Sequence, residues 1–324
     1  MNAAEILDLL LALLVSSVVL SGIVWTVWWL DRYDREPVHL MLAAFAWGAV
    51  AAPLVCVAVG PVLGRLSGDR LTSVIVLVAP LMEEAAKALG VALIAWRSGE
   101  FDNPTDGLVY GAAAGLGFAA TENAAYCLVG TGGAAAVLPL VIQRIVGSAG
   151  LHALASSAFG GLVGVAVVAR GRGRRIAWVA LGLTVATALH VGWNAVLVAA
   201  GETGPGLWWW LAVPGAVLVW LAILTMFLES ERRIIREELS REVELGVLPP
   251  WVVEVIPSYR RRIRSDWWPE RRERAVISRL LTRLAFRKHA VGRLPEDRAR
   301  LAGIEVVWLR DRARRILHEP QTDD

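Results

Sequence analysis

Of the 324 residues, 56% are hydrophobic and only 19% are charged, whereas about a quarter of a soluble globular chain is charged, so an ordinary soluble fold for the whole chain is excluded. The formal charge of +3 conceals a division into two parts. Residues 1–229 are mostly long apolar runs and residues 230–324 are dense in Arg and Glu, which predicts a membrane domain followed by a charged tail in water.

The first apolar run, 6–30, overlaps the opening segment MNAAEILDLL, which has acids and no basic stretch. It ends at DRYDREP without a small-residue cleavage site, so a retained transmembrane helix is expected rather than a signal peptide. Further runs lie at 38–64, 71–96, 107–129, 149–169, 176–200 and 207–228, each near the about 20 residues that a spanning helix needs. Residues 134–148 are apolar but carry Pro139 and Arg144; they read either as a membrane-surface segment or as the start of a long fifth helix. The expected fold is an all-α polytopic transmembrane helix bundle of seven spans, or eight in the alternative.

With seven spans, DRYDREP, RSGEFDNPTDG and RGRGRR fall on one side and hold seven basic residues. The opposite loops hold two, or three with Arg144. The basic side is the cytoplasmic one, so the N-terminus is expected outside and the tail inside. Cys56 and Cys127 both lie in apolar runs and offer neither a disulfide framework nor a CxxC knuckle. Gly107, Gly111 and Gly115 recur every fourth residue, as do Gly160 and Gly164; small residues at this spacing let helix backbones approach in lipid.

The third run contains Glu83, Glu84 and Lys87 at its middle. Each ionisable group there costs roughly 3 kcal/mol on insertion scales, and each Leu, Ile or Val returns roughly 0.3–0.6. The three therefore nearly cancel the apolar contribution of their own helix. Lys87 is i+4 from Glu83 and i+3 from Glu84, so it can neutralise one carboxylate; the other needs a partner from another helix. Candidates are Glu122 with Asn123 in the fourth run, His152 in the fifth, and His190 with Asn194, one turn apart, in the sixth. Single polar residues of this kind often serve as interhelical glue. Three acids, two histidines, a lysine and an asparagine exceed what packing requires, and intramembrane ionisable residues point to function.

A carboxylate in a dry pocket is a strengthened base for water. A neighbouring His can share that water, and a His or Asn donor can stabilise an oxyanion. This is a peptide-hydrolysis set that needs no Ser or Cys nucleophile. His152, His190 and one Glu would alternatively make a catalytic His₂Glu zinc site, although no HExxH occurs. Buried Glu and His chains also relay protons in transporters, and a silent scaffold acting through its tail is a third class.

The set EExxK (Glu83, Glu84, Lys87), FxxxEN (Phe118, Glu122, Asn123), His152 and HxxWN (His190, Trp193, Asn194) resembles the PrsW family of bacterial intramembrane proteases. DRYDREP at 31–37 and DGLVYGAAAGLGFAATEN at 106–123 look like the same family, itself similar to the CAAX prenyl endopeptidases of the CPBP group. The similarity covers about 31–200. It implies a multi-pass protease of the bacterial inner membrane that cuts a membrane-anchored protein, such as an anti-sigma factor, near the outer face. By motif position Glu83 or Glu84 would be the base, and His190 and Asn194 would support water or the oxyanion. Glu122 stands where relatives with FxxxH carry a histidine. Family members are described both as metal-dependent and as glutamate-based; the metal-free mechanism, with no required cofactor, is favoured here and zinc is the alternative.

In the tail, ESERRIIREELSREVELG reads as an amphipathic helix continuing the last span, and further helices are expected at about 269–290 and 295–318. The clusters RRRIR and RRER near Trp267 and Trp268 suit anionic lipid headgroups. Interspersed acids and the lack of a binding motif argue against nucleic acid.

Overall fold

In the computed structural model, every regular element among the described residues is helical. The structure describes residues 3–66, 71–129, 143–201, 207–264, 266–292 and 296–318. Helix α1 is Ala3–Leu30. Helix α2 covers residues 38–66, as Val38–Ala46, a π turn at Trp47–Ala51, and Ala52–Leu66. Helix α3 covers residues 71–97, as Leu71–Ser73, a π turn at Val74–Val78, and Ala79–Arg97. Helix α4 is Pro104–Val129. Helix α5 covers residues 143–168, with a π turn at Arg144–Ala149 leading into Gly150–Val168. There follow α6 (Arg172–Ala200), α7 (Leu207–Glu244), α8 (Trp251–Val255), α9 (Tyr259–Arg262), α10 (Arg271–Val291) and α11 (Glu296–His318). Of the ambiguous stretch 134–148, residues 134–142 lie outside the described residues, and 143–148 are helical and run into α5.

The chain divides into two compact units. The first comprises Met1–Leu30, Glu36–Val167 and Arg172–Leu224. Among the described residues four helices are long and apolar enough to cross a membrane by length and composition: Val38–Arg65, Gly147–Val168, Arg172–Ala200 and Leu211–Glu244. In the first unit the usual distribution is inverted. Leu14, Val18, Leu54, Val57, Leu211 and Leu218 are exposed, while Glu84, Lys87, Asn123, His152 and His190 are buried. Lipid solvates the first group and cannot solvate the second, so the polar residues turn inward.

The glycine periodicity is realised as contact between α4 and α5. A Cβ on Gly107 would lie 1.9 Å from the Gly160 carbonyl oxygen, one on Gly111 2.2 Å from that of Ser156, and one on Gly115 2.2 Å from that of His152. The two backbones touch along this line, which only hydrogen side chains permit. The start of α4 is fixed by a reciprocal cap: Asn103 Oδ1 accepts from the Thr105 and Asp106 amides, and Asp106 Oδ2 accepts from those of Asp102 and Asn103. Pro104 occupies the first helical position, where its missing N–H costs nothing. Tyr110, fully buried, donates its hydroxyl proton to Glu36 of the DRYDREP segment.

The second unit comprises Asp31–Arg35, Val168–Gly171 and Thr225–Asp324. Its core gathers Ile235, Leu239, Val252, Ile256, Ile277, Leu281, Leu284 and Leu309. Glu242, with no exposed surface, receives Lys288 Nζ at 2.5 Å and a two-pronged contact from Arg310 at 2.7 Å on each oxygen. The two predicted tail helices are present as α10 and α11, joined sideways by Arg283 and Arg287 on Glu305 at 2.6 and 2.9 Å.

Candidate active site

Helix α3 presents Glu83, Glu84 and Lys87 just beyond a break in its ladder. The Ala79 N–H reaches back five residues to the Val74 carbonyl. The next donor in that register would be Pro80, which has no N–H, so the Ile75 carbonyl loses its ladder partner. Asn194 of α6 fills the place, its Nδ2 donating to Ile75 O at 2.9 Å. Helix α2 has a related arrangement one residue shifted: Pro53 follows a π turn, and Thr121 of α4 donates at 2.5 Å to the Ala49 carbonyl, four residues before the proline and so the acceptor that a proline leaves free in the α register. Proline-induced gaps thus tie α3 to α6 and α2 to α4 through side chains.

Glu84 is the hub. Its Oε1 receives Lys87 Nζ at 2.5 Å and His190 Nδ1 at 2.9 Å, and Ser156 Oγ stands 3.5 Å from Oε2. Lys87 is fully buried and also meets His152 Nδ1 at 2.9 Å, with the Phe118 ring 4.8 Å from its Nζ. An ammonium can only donate, so His152 Nδ1 accepts and its Nε2 carries the proton, which it gives to Glu122 Oε2 at 2.7 Å. Glu122 is further held by Arg144 at 2.5 Å and Ser148 Oγ at 3.2 Å. Arg144 in addition donates to Asn123 Oδ1 and covers the Tyr126 ring at 3.9 Å.

Glu83 differs from its neighbour. Its Oε2 is buried and accepts no hydrogen bond, and His190 Nε2 stands 3.8 Å from it. Because His190 Nδ1–H is committed to Glu84, Nε2 is left with its lone pair facing Glu83. Glu83, His152 and His190 each have a donor atom within 4.8 Å of the others', a His₂Glu set. The donor chemistry fits a divalent metal: Glu83 offers an unused oxygen, and His190 is backed by a carboxylate on its far nitrogen, as ligating histidines usually are. His152 would have to release one of its two hydrogen bonds.

Six of the seven residues singled out in the sequence therefore meet in one cluster: Glu83, Glu84, Lys87, Glu122, His152 and His190. Asn194, one turn from His190, is bonded to Ile75 instead. Sequence reading passed over Ser148, Ser156 and the contribution of Arg144. The first two are i−4 and i+4 from His152, and that polar line on an apolar helix was the available signal.

A family model described as "PrsW family intramembrane metalloprotease" matches residues 36–226, a range that contains the entire cluster. The chain belongs to the PrsW family of intramembrane proteases. It is 29% identical over 191 residues to "Protease PrsW" of Bacillus subtilis (strain 168), covering 59% of this chain and 82% of that relative. It is 33% identical over 118 residues to "Protease PrsW" of Geobacillus kaustophilus (strain HTA426), covering 34% of this chain and 50% of that one. No solved structure matches it. The family's description as metalloproteases accords with the donor set of Glu83, His152 and His190.

Proposed function

We propose that this PrsW-family chain hydrolyses a peptide bond of a membrane-anchored protein, with Glu83 as the general base. The observation that carries this reading is the unpartnered Glu83 oxygen facing the bare Nε2 of His190 across 3.8 Å. That spacing suits a water whose two hydrogens point to Glu83 and His190, leaving its lone pair for the carbonyl carbon. As the C–O bond forms, Glu83 takes one proton; as the C–N bond breaks, it returns that proton to the leaving nitrogen, so the residue ends as it began. Glu84 fixes the His190 tautomer, and Lys87, His152 and Glu122 form the next ring of support. Asn194 anchors α3 with one amide hydrogen, and its other is the donor we assign to the oxyanion.

Residues Glu83, His152 and His190 would hold a metal, which when bound supplies a Lewis acid for the carbonyl and a more acidic water.

The remaining features of the reading follow from charge and family. Residues 1–229 form the membrane domain, with seven spans. The 230–324 tail lies in the cytoplasm of a bacterial cell, the N-terminus lies outside, and the substrate is a membrane-anchored protein, such as an anti-sigma factor, cut near the outer face. Basic loop bias supports the orientation. The decisive experiment supplies the full chain with a tagged membrane-anchored substrate and compares Glu83→Gln, Glu84→Gln and His190→Ala variants that still fold. Undiminished cleavage by all three would overturn the assignment.

A further inference from the structure

Helix α11 has two apolar faces. One, made of Ala302, Val306, Leu309 and Ala313, is buried, the last three in the core of the second unit. The other is made of Leu301, Ile304, Val307 and Trp308, which are 68%, 62%, 64% and 52% exposed. At 3.6 residues per turn the two stripes lie on opposite sides of the helix, so the second contributes nothing to folding of the unit. In the first unit exposed apolar residues face lipid. Here four large ones stand together in a region otherwise dense in charge, and an exposed apolar patch of this kind marks an interaction site.

The surroundings of the stripe indicate its occupant. Among the α11 residues whose side chains are described, Arg300, Arg312, Arg314 and Arg315 are exposed, and the exposed acid Asp311 is paired with Arg315 at 2.7 Å. Arg312 lies over the Trp308 ring, 5.1 Å from its centroid. Glu305, four residues after Leu301, is turned aside to Arg283 and Arg287. Leu, Ile, Val and Trp on one face with arginines at its edges is the composition of a helix lying in a bilayer interface. A second copy seated side by side on the same stripe would bring two sets of four exposed arginines together. An anionic leaflet offers both an apolar layer and negative phosphates.

We propose that α11 is an interfacial membrane helix, whose Leu301–Ile304–Val307–Trp308 face enters an anionic lipid leaflet while Arg312, Arg314 and Arg315 contact phosphates. This inference is independent of the catalytic reading.

The test uses the full chain in nanodiscs of phosphatidylcholine alone or mixed with phosphatidylglycerol. A nitroxide at Ile304→Cys, with Cys56 and Cys127 changed to Ser, reports exposure to a water-soluble relaxing agent. A label at Arg279→Cys, exposed on α10, is the reference. The label at 304 should become shielded in the anionic discs. Changing Arg312, Arg314 and Arg315 to Gln should lower the equilibrium constant for lipid insertion by about fivefold per arginine. Tryptic cleavage at Arg300 and Arg312 of the unaltered chain provides a second readout that needs no cysteine replacement, and it should slow in anionic discs. A label at 304 as open to water as the reference with cleavage unaffected by lipid charge, or shielding that appears only with two protein copies per disc, overturns the proposal.

Discussion

Lys87 Nζ stands 2.9 Å from His152 Nδ1 and 2.5 Å from Glu84 Oε1 with no exposed surface of its own. One cation thereby neutralises a carboxylate on its own helix and sets the proton position of a histidine on another. Removing it leaves Glu84 buried without its cation and frees the His152 ring to change tautomer. A Lys87→Met variant should lose about 3–5 kcal/mol of stability. Adding Glu84→Gln should recover a substantial part, because the isolated charge is gone. Thermal unfolding of the single and double variants in detergent checks this, and a double variant no more stable than Lys87→Met would contradict it.

Adjacent glutamates should respond differently to the same substitution. Glu83→Gln removes a carboxylate that accepts no hydrogen bond at Oε2, so the melting temperature should hold while cleavage falls by about 10²–10⁴-fold. Glu84→Gln strips the charge that Lys87 and His190 share, so stability and activity should fall together. The paired measurement is thermal unfolding beside cleavage of a tagged membrane substrate. An active Glu83→Gln enzyme would remove Glu83 from the role of base.

Zinc binding by the purified full chain should depend on Glu83, His152 and His190, and also on a residue that would not touch the ion. Glu84 fixes His190 through Nδ1, and loss of such a backing carboxylate typically lowers metal affinity by about 10–100-fold. Competitive titration with a chromophoric chelator should therefore show Glu84→Gln weakened and Asn194→Asp nearly unchanged. Equal zinc binding by wild type and by Glu83→Gln would remove the metal site.

Gly115→Ala should damage the site from outside it. The new methyl would stand 2.2 Å from the His152 carbonyl oxygen, a backbone atom that cannot move without carrying the imidazole away from Lys87 and Glu122. Overpacking of this kind costs about 1–3 kcal/mol, and activity should fall further than stability. Gly99→Ala, with open space around the added carbon, is the matched control. Cleavage rates relative to folded fraction distinguish the two.

Much of this was legible along the chain. Apolar runs about 20 residues long mark helices in lipid whatever their neighbours, and ionisable residues within them must face inward because acyl chains offer no hydrogen bonds. The i, i+4 glycines likewise announced close backbone contact, and Gly107 against Gly160 provides it. Helical spacing could not say whether Lys87 would take Glu83 or Glu84, since both lie one turn away; rotation of α3 against α5 and α6 directs it to Glu84. Nor could spacing foresee that Asn194 would serve a carbonyl orphaned by Pro80 of another helix. The linear order fixes which groups share a helix face and how deep each face is buried. Which of two adjacent carboxylates is neutralised and which stays available depends on how helices distant in sequence rotate against one another, because a buried charge is satisfied only by atoms within about 3 Å.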